Sequence, residues 1–184
     1  MLNLKSLLML LMIFFQTKIY SLNKEYLLTN NYSASKSDAN QFKKFPTDLT
    51  SFGNFAQFIP AISGYVMTIY FSDAPGALQL TESLLLNLTA TQILKVSINE
   101  KRPNGGKDSF PSGHTSGAFT GASFIHFRYG LEPALFFYLI SGVVGYSRVH
   151  AKAHYWHDVI AGAAIGTVSS YLFTQKFTQT EEKA

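Results

Sequence analysis

The sequence predicts an all-α protein: a membrane-embedded bundle of about five core helices, preceded by an N-terminal signal or anchor segment. Three observations support this fold class. Hydrophobic residues make up 47% of the 184 positions and charged residues only 14%, below the quarter that is typical of soluble domains. The charges are separated by long uncharged stretches, which fit helices better than strands in length and small-residue content. The chain contains no internal repeat, so we expect one domain.

The N-terminal part is predicted to direct and connect the domain rather than to belong to it. Residues 1–21 are typical of an export signal, cleaved or retained as an anchor, with Lys5 as the positive start and an apolar core after it. Residues 22–50 are rich in Asn, Ser and Lys and lack periodicity, which indicates a polar linker. The helical domain then covers residues 51–176, and residues 177–184 form a polar tail.

Five apolar segments, bounded by Pro, Gly and charged residues, are the predicted core helices. They cover residues 51–71, 75–99, 112–128, 131–148 and 154–175. The first has no charged residue between Asp48 and Asp73 and is long enough to span a bilayer, whereas the shorter segments equally fit buried helices of a soluble core. The last is rich in Gly, Ala and Ser, which permits close helix packing.

Successive membrane crossings would sort the charged residues into two groups. From an inside N-terminus, the signal segment and five further crossings place Asp73, Arg128 and Lys176 on the inner side. The same count places the loops at 99–111 and 148–154 together on the outer side. Their basic residues oppose the positive-inside tendency, and a role in binding phosphate would account for them.

Two basic residues close the second predicted helix. Lys95 and Arg102 are seven positions apart, about two helical turns, so they are expected on one face before Pro103 discourages further helix. Together they can hold one anion. By themselves the two residues are equally typical of a membrane edge, where a lysine extends its charged end to water and an arginine lies in the adjoining loop.

The third predicted helix opens with Pro111, Ser112, Gly113 and His114. Ser112 is a natural N-cap, and the free amides of the first turn can bind phosphate oxygens. Gly113 lets the backbone approach a ligand closely, and His114 is placed to protonate a leaving oxygen. Alone, the same residues also fit an ordinary helix cap.

A third group lies at the last predicted helix. Arg148 ends the fourth segment, and His154 begins the fifth with Asp158 one turn later on the same face. A carboxylate keeps one imidazole nitrogen protonated and the other nucleophilic. The alternative is that His154 and Asp158 are only a surface pair that stabilises the start of a helix. His150 and His157 have the wrong helical phase for this face, so no role is assigned to them.

The composition also limits the partners. With no cysteine, the chain has no disulfide, thiol nucleophile or thiolate metal site. Nucleic acid is not expected, because the net charge is only +4 and no basic stripe with interleaved aromatic residues is present. The histidines and Asp158 could supply metal ligands, but they lack standard ligand spacing and lie among cations, so we predict no metal.

In this order and spacing, the three groups resemble the three-part signature of the type 2 phosphatidic acid phosphatase superfamily, which also includes vanadium haloperoxidases. The resemblance covers residues 51–173, and by size it is to small bacterial membrane lipid phosphatases. Within these, residues 56–60 and 102–106 are similar to lipid A 1-phosphatases. The matching signature residues are Lys95, Arg102, Pro103, Pro111, Ser112, Gly113, His114, Ser147, Arg148, His154 and Asp158.

The resemblance implies a helical bundle that needs no metal or other cofactor. It implies that His154 attacks phosphorus to form a phosphohistidine, that Asp158 orients His154, and that His114 protonates the leaving group. Water then hydrolyses the intermediate. The residues implied to hold the phosphate oxygens are Lys95, Arg102, Ser112, Gly113 and Arg148.

The leading prediction is therefore a phosphoric monoester hydrolase acting on a lipid of the lipid A, phosphatidic acid or polyprenyl phosphate type. It is expected in the bacterial inner membrane with its active site facing the periplasm. The main alternative is a soluble periplasmic acid phosphatase. A vanadate-dependent haloperoxidase, disfavoured by the short chain, and a non-catalytic phosphate-binding membrane protein are the others. The oligomeric state is not predicted.

Overall fold

The computed structural model describes residues 48–178, which form six helices and no strand, so the predicted all-α class is confirmed. The predicted signal segment, most of the linker and residues 179–184 of the tail lie outside the described residues. The helices are α1 (Leu49–Ala56), α2 (Ile59–Tyr70), α3 (Ala74–Ile98), α4 (Gly113–Tyr129), α5 (Leu131–His150) and α6 (Trp156–Phe173).

The first predicted core helix, 51–71, is wrong as one helix and is in fact two. The side chain of Asp48 accepts a hydrogen bond from the Ser51 amide at 2.7 Å, so α1 begins inside the predicted linker. The chain leaves α1 at Gln57, and α2 restarts with Pro60 in its first turn. A helix running through Pro60 would lack one hydrogen bond and clash with the preceding turn, whereas the first turn tolerates proline.

The other helices lie within two residues of their predicted bounds because local signals set their ends. The Asp73 side chain caps α3 by accepting from the Gly76 amide at 2.9 Å, and α3 ends at Asn99, which has a left-handed φ of 46°. Ser112 caps α4. Gly130, with φ of 109°, separates α4 from α5 without an intervening loop.

Helix α4 is the centre of the bundle and packs against α2, α3, α5 and α6. Its tightest approach is to α6, as the small residues of that segment predicted. A Cβ added to Gly162 would lie 2.6 Å from the Ser112 carbonyl oxygen, and one added to Gly166 would overlap the Ser116 carbonyl oxygen. Because Ser112 starts α4, the contact at Gly162 fixes the beginning of α6 beside the beginning of α4.

The apolar core lies along α4 and its neighbours. Phe124 and Ile125 of α4 pack with Leu80 of α3 and Ala134 of α5, and all four are fully buried. Across residues 48–178, every helix falls short of the combined length and hydropathy that a bilayer crossing requires.

The end of α4 carries a buried ion pair, which we call the ion-pair end of the bundle. Arg128 makes a bidentate contact with Asp73, with Nε 2.7 Å from Oδ2 and Nη2 2.5 Å from Oδ1. Tyr129 also donates to Asp73, at 2.8 Å, and Arg128 Nη1 donates to the Gln175 carbonyl at 2.8 Å. Asp73 and Arg128 thus lie at one end of the bundle, together with the chain just after α6, and their position on the inner side of a membrane stays a prediction.

Candidate active site

The beginning of α4 lies at the opposite end of that helix, about 25 Å from the ion pair at 1.5 Å per residue. Ser112 is fully buried, its amide donates to the Asp158 carbonyl at 3.0 Å, and its side chain accepts from the Thr115 amide at 3.5 Å. The first amides of a helix have no carbonyl acceptor within it. The amides of Gly113 and His114 are therefore the ones that remain for an anion.

Lys95 lies beside this helix start. A Cβ added to Gly113 would be 3.9 Å from Lys95 Cε and 3.7 Å from Thr91 Cγ2, both ordinary van der Waals distances. Packing among the described residues therefore does not require glycine at 113, and the predicted reason for it, close approach of a ligand, stays a prediction.

Arg102 reaches the same region from a loop. Helix α3 ends at Ile98, so the prediction that Lys95 and Arg102 share a helical face is wrong. The left-handed Asn99 turns the chain first, and Arg102 Nε then donates to the Lys107 carbonyl at 2.8 Å. The two charges still act on each other, because burial and then Arg102 lower the pKa of Lys95.

Arg148 is held from α1, a contact that the sequence did not reveal. Its Nη1 donates to Asn54 Oδ1 at 2.5 Å, and its Nη2 donates to the Thr50 carbonyl at 2.7 Å. Gly53, between these two residues, allows the approach, because a Cβ there would lie 2.6 Å from Arg148 Nη2. Helix α1, partly assigned to a linker by the sequence, therefore positions a predicted phosphate ligand.

The three cations share one property: each donates to neutral oxygens. Lys95 Nζ donates to the Asp108 carbonyl at 2.7 Å, and the partners of Arg102 and Arg148 are carbonyl, amide and hydroxyl oxygens. Within residues 48–178, none of the three has a carboxylate within ion-pair distance. This end of the bundle, which we call the histidine end, therefore carries positive charge that described carboxylates do not pair.

His154 and Asp158 are both buried here, 3% and 0% exposed. The prediction that His154 begins the last helix is wrong, because it precedes Tyr155, the N-cap of α6. Asp158 is in the first turn and its Oδ2 still lies 3.4 Å from His154 Nδ1. A proton on Nδ1 that points at this carboxylate leaves Nε2 with a free lone pair.

Two further donors hold Asp158, and neither was predicted. Ser109 Oγ donates to Oδ2 at 2.5 Å, and the Tyr155 amide donates to the same oxygen at 2.9 Å as part of a capping box. The amide contact follows from helix-start chemistry and was open to prediction. The Ser109 contact joins residues 49 positions apart and has no local sequence signal.

The pKa values of both site histidines are lowered. Burial lowers the pKa of His154 to about 4, assisted by the charges of Lys95 and Arg102 and opposed by Asp158. Burial also lowers the pKa of His114 to about 4, and the charges of Arg148 and His154 contribute next. Without an anion, both imidazoles are therefore neutral near pH 7.

His157, left without a role by the sequence, lies behind Asp158. Its Nε2 is 3.0 Å from Glu100 Oε1 and 3.1 Å from Asp158 Oδ1, the latter without hydrogen-bond geometry. The His157 side chain is 58% exposed and His154 is 3% exposed, so the two do not share one face, as their helical phase predicted.

The structure thus brings all eight predicted site residues to one end of the bundle. Two neutral imidazoles, one of them beside a buried carboxylate, face three cations and two helix-start amides. Such an arrangement can bind an anion, stabilise developing negative charge and supply both a nucleophile and a proton carrier.

Comparison with known proteins gives a consistent result. The sequence profile of the PAP2 superfamily matches residues 76–181, more than half of the chain. A lipid A 4'-phosphatase of Helicobacter pylori strain J99 is 29% identical over 141 residues, which cover 70% of this chain and 71% of that protein. A lipid A 1-phosphatase of Porphyromonas gingivalis is 29% identical over 127 residues, which cover 64% of this chain but only 28% of that longer protein.

A solved structure is also similar. The crystal structure of Aquifex aeolicus LpxE matches with a TM-score of 0.56 and 26% sequence identity, covering 70% of this chain and 86% of that one. The likeness therefore extends from the motifs to the helical arrangement.

Proposed function

Because the chain belongs to the PAP2 superfamily, we propose that it is a phosphoric monoester hydrolase that removes phosphate from a lipid of the lipid A type through a phosphohistidine intermediate. The observation that carries the proposal is the histidine end, where cations without carboxylate partners among residues 48–178 lie around the buried imidazole of His154 and the half-buried imidazole of His114. A phosphate monoester supplies the negative charge that this end lacks.

Substrate binding changes the charge balance of the site. A phosphate dianion contacting Lys95, Arg102 and Arg148 adds negative charge beside His114. Because the three cations contribute to lowering the pKa of His114, their neutralisation raises that pKa and favours uptake of a proton. His114 thus becomes an acid when the substrate is bound.

In the first chemical step, the Nε2 lone pair of His154 forms a bond to phosphorus. The bond between phosphorus and the lipid oxygen breaks, and that oxygen takes the proton of His114. Asp158 holds the Nδ1 proton and stabilises the positive charge that develops on the ring of His154. The amides of Gly113 and His114, with the cations, hold the phosphoryl oxygens.

In the second step, water attacks phosphorus and His114, now neutral, takes its proton. The bond between phosphorus and Nε2 breaks, which releases inorganic phosphate and restores the neutral imidazole of His154. The three cations provide the charge stabilisation that a metal ion supplies in many other phosphatases, so the proposed reaction requires no metal.

The outer surface supports work at a membrane. Large apolar side chains are exposed on several helices, including Phe55 at 76%, Val96 at 78% and Leu139 at 72%. Extended exposed apolar surface is typical of contact with lipid or another protein. We therefore place the protein at the bacterial inner membrane, with the histidine end facing the periplasm.

The proposed activity is tested by phosphate release from a panel of lipid A, phosphatidic acid, phosphatidylglycerol phosphate, undecaprenyl diphosphate and a small soluble phosphoester, with and without detergent and with and without a chelator. We expect release from lipid A that is unaffected by the chelator. His154→Asn is the matched control. Preference for small soluble phosphoesters without detergent would instead support the soluble acid phosphatase, and loss of activity in the chelator would contradict a metal-independent reaction.

The proposed orientation is tested by labelling a single cysteine. The chain has no cysteine, so the unsubstituted protein is a blank control. Lys101 is exposed in the loop between α3 and α4 at the histidine end. Lys101→Cys should react with a membrane-impermeant maleimide in cells whose outer membrane has been permeabilised. Reaction only after lysis would contradict a periplasmic site.

A further inference from the structure

A second cluster of potential ligands lies behind the catalytic carboxylate. His157 Nε2 is 3.0 Å from Glu100 Oε1 and 3.1 Å from Asp158 Oδ1, and the potential ligand atoms of all three residues lie within 4.8 Å of one another. The side chains of His157 and Glu100 are 58% and 30% exposed, so the cluster is open to solvent on one side.

One atom of this cluster has an unmet bonding capacity. Asp158 is fully buried, and its Oδ1 has no hydrogen-bond partner within the described part of the chain. The other oxygen, Oδ2, accepts from Ser109 and the Tyr155 amide and lies near His154. Oδ1 instead points toward His157. A buried carboxylate oxygen without a donor is costly, and a cation would satisfy it.

The donor set selects the class of cation. One imidazole nitrogen and two carboxylate oxygens are ligands that Zn²⁺ accepts, with bonds of about 2.0–2.2 Å and water as a fourth ligand. Ligand atoms around such an ion are about 3.3 Å apart, close to the distances between His157 and the two carboxylates. The two carboxylates also favour a cation as the ligand of this cluster, despite the cations on the other side of Asp158.

We propose that Glu100, His157 and Asp158 form an inhibitory binding site for a divalent cation of the Zn²⁺ class. Bound at Oδ1, the cation withdraws negative charge from the carboxylate that supports His154 through Oδ2. The orientation and nucleophilicity of His154 then decrease. Because the inhibition acts on the phosphatase reaction, this inference rests on the proposed function, although the binding itself does not.

The experiment measures binding and inhibition separately on the full chain in detergent. Co²⁺ is titrated as a spectroscopic substitute for Zn²⁺, and binding to a low-coordinate site of nitrogen and oxygen ligands produces visible absorption. In parallel, phosphate release from lipid A is measured against Zn²⁺ concentration. The variants are Glu100→Gln and His157→Ala, and His150→Ala removes another exposed histidine as the matched control.

We expect visible absorption on Co²⁺ addition and at least about tenfold loss of turnover at saturating Zn²⁺ in the unsubstituted chain and in His150→Ala. Both cluster variants should need at least about tenfold more metal for each effect, since loss of one ligand weakens binding. Absence of the absorption, or equal Zn²⁺ inhibition in all four proteins, would overturn the inference. A chain that binds Co²⁺ at this cluster but never releases phosphate would instead contradict the proposed function.

Discussion

The two ends of α4 carry buried charge in opposite arrangements. At the ion-pair end, Arg128 is 2% exposed and makes a bidentate contact with Asp73. At the histidine end, Arg148 is 4% exposed and donates to a serine hydroxyl, an amide oxygen and a carbonyl oxygen. Within the described residues, Arg128 thus has a carboxylate partner. Arg148 is held in position by neutral oxygens alone.

This difference distinguishes charge that stabilises the fold from charge that is available to a ligand. The ion pair joins α3, α4 and the segment after α6, and the charge of Arg128 is paired with that of Asp73. The histidine end retains positive charge, and its helix-start amides add to it. Holding cations together without an anion destabilises a fold, and the proposed binding of a phosphate would offset this repulsion.

The largest expected effect is on the proposed nucleophile. His154→Ala should reduce phosphate release by about a thousandfold or more, because the proposed covalent intermediate forms on its Nε2. Turnover of lipid A and thermal unfolding are measured together, with the exposed His150→Ala as control. Turnover that is unchanged in a folded His154→Ala protein would remove His154 from this role.

Breaking the ion-pair end should affect stability instead of chemistry. Asp73→Asn leaves the charge of Arg128 without its buried partner, which is expected to lower the free energy of unfolding by about 3–5 kcal/mol. Turnover per folded molecule should stay close to that of the unsubstituted chain. The unfolding midpoint in denaturant measures the loss, and Asp73→Asn/Arg128→Met should recover part of it. An unchanged midpoint would mean that the ion pair is not stabilising.

The site histidines should make stability depend on pH. Their pKa values are about 4 in the fold against 6.5 for an unperturbed histidine, so between these values the unfolded chain binds more protons. The contribution of the two neutral histidines to the free energy of unfolding is fully present above pH 6.5 and is lost as the pH falls toward about 4. Unfolding midpoints across this range test it, and His154→Ala should show a smaller dependence. An equal dependence in that variant would contradict the lowered pKa of His154.

A smaller effect is expected from the second support of Asp158. Ser109→Ala removes one short hydrogen bond to a carboxylate, worth about 1.5–3 kcal/mol, so kcat should fall by a factor between about 10 and about 150. KM should change little, because Ser109 does not contact the substrate. Ser109→Thr, which keeps the hydroxyl, should recover activity. A change in KM alone would indicate a binding role.

The sequence predicted the parts of this arrangement that local rules govern. Asp73, Ser112 and Gly130 have unambiguous positions at helix ends, and the all-α fold followed from the spacing of apolar segments. The grouping of Asp73 with Arg128 followed from the count of successive membrane crossings. Pro60 also carried a clear signal, although the first core helix was predicted to continue through it.

The contacts that support the site were not predictable in the same way. Ser109 reaches Asp158 across 49 positions, and Asn54 reaches Arg148 across 94, so neither lies in a periodic pattern or a helix cap. The contact of His157 with Glu100 likewise joins residues 57 positions apart. Such contacts depend on how α1, α4 and α6 pack, which single-sequence patterns do not specify.

The central claim is that positive charge at the histidine end is available to phosphate, whereas charge at the ion-pair end is not. The direct measurement is the shift in thermal unfolding temperature that inorganic phosphate produces, relative to sodium chloride of equal ionic strength, in Arg102→Gln and Arg128→Gln. Arg128→Gln should unfold at a lower temperature but keep the full phosphate shift, whereas Arg102→Gln should lose most of that shift. A full phosphate shift in Arg102→Gln, or loss of that shift in a folded Arg128→Gln, would contradict the account.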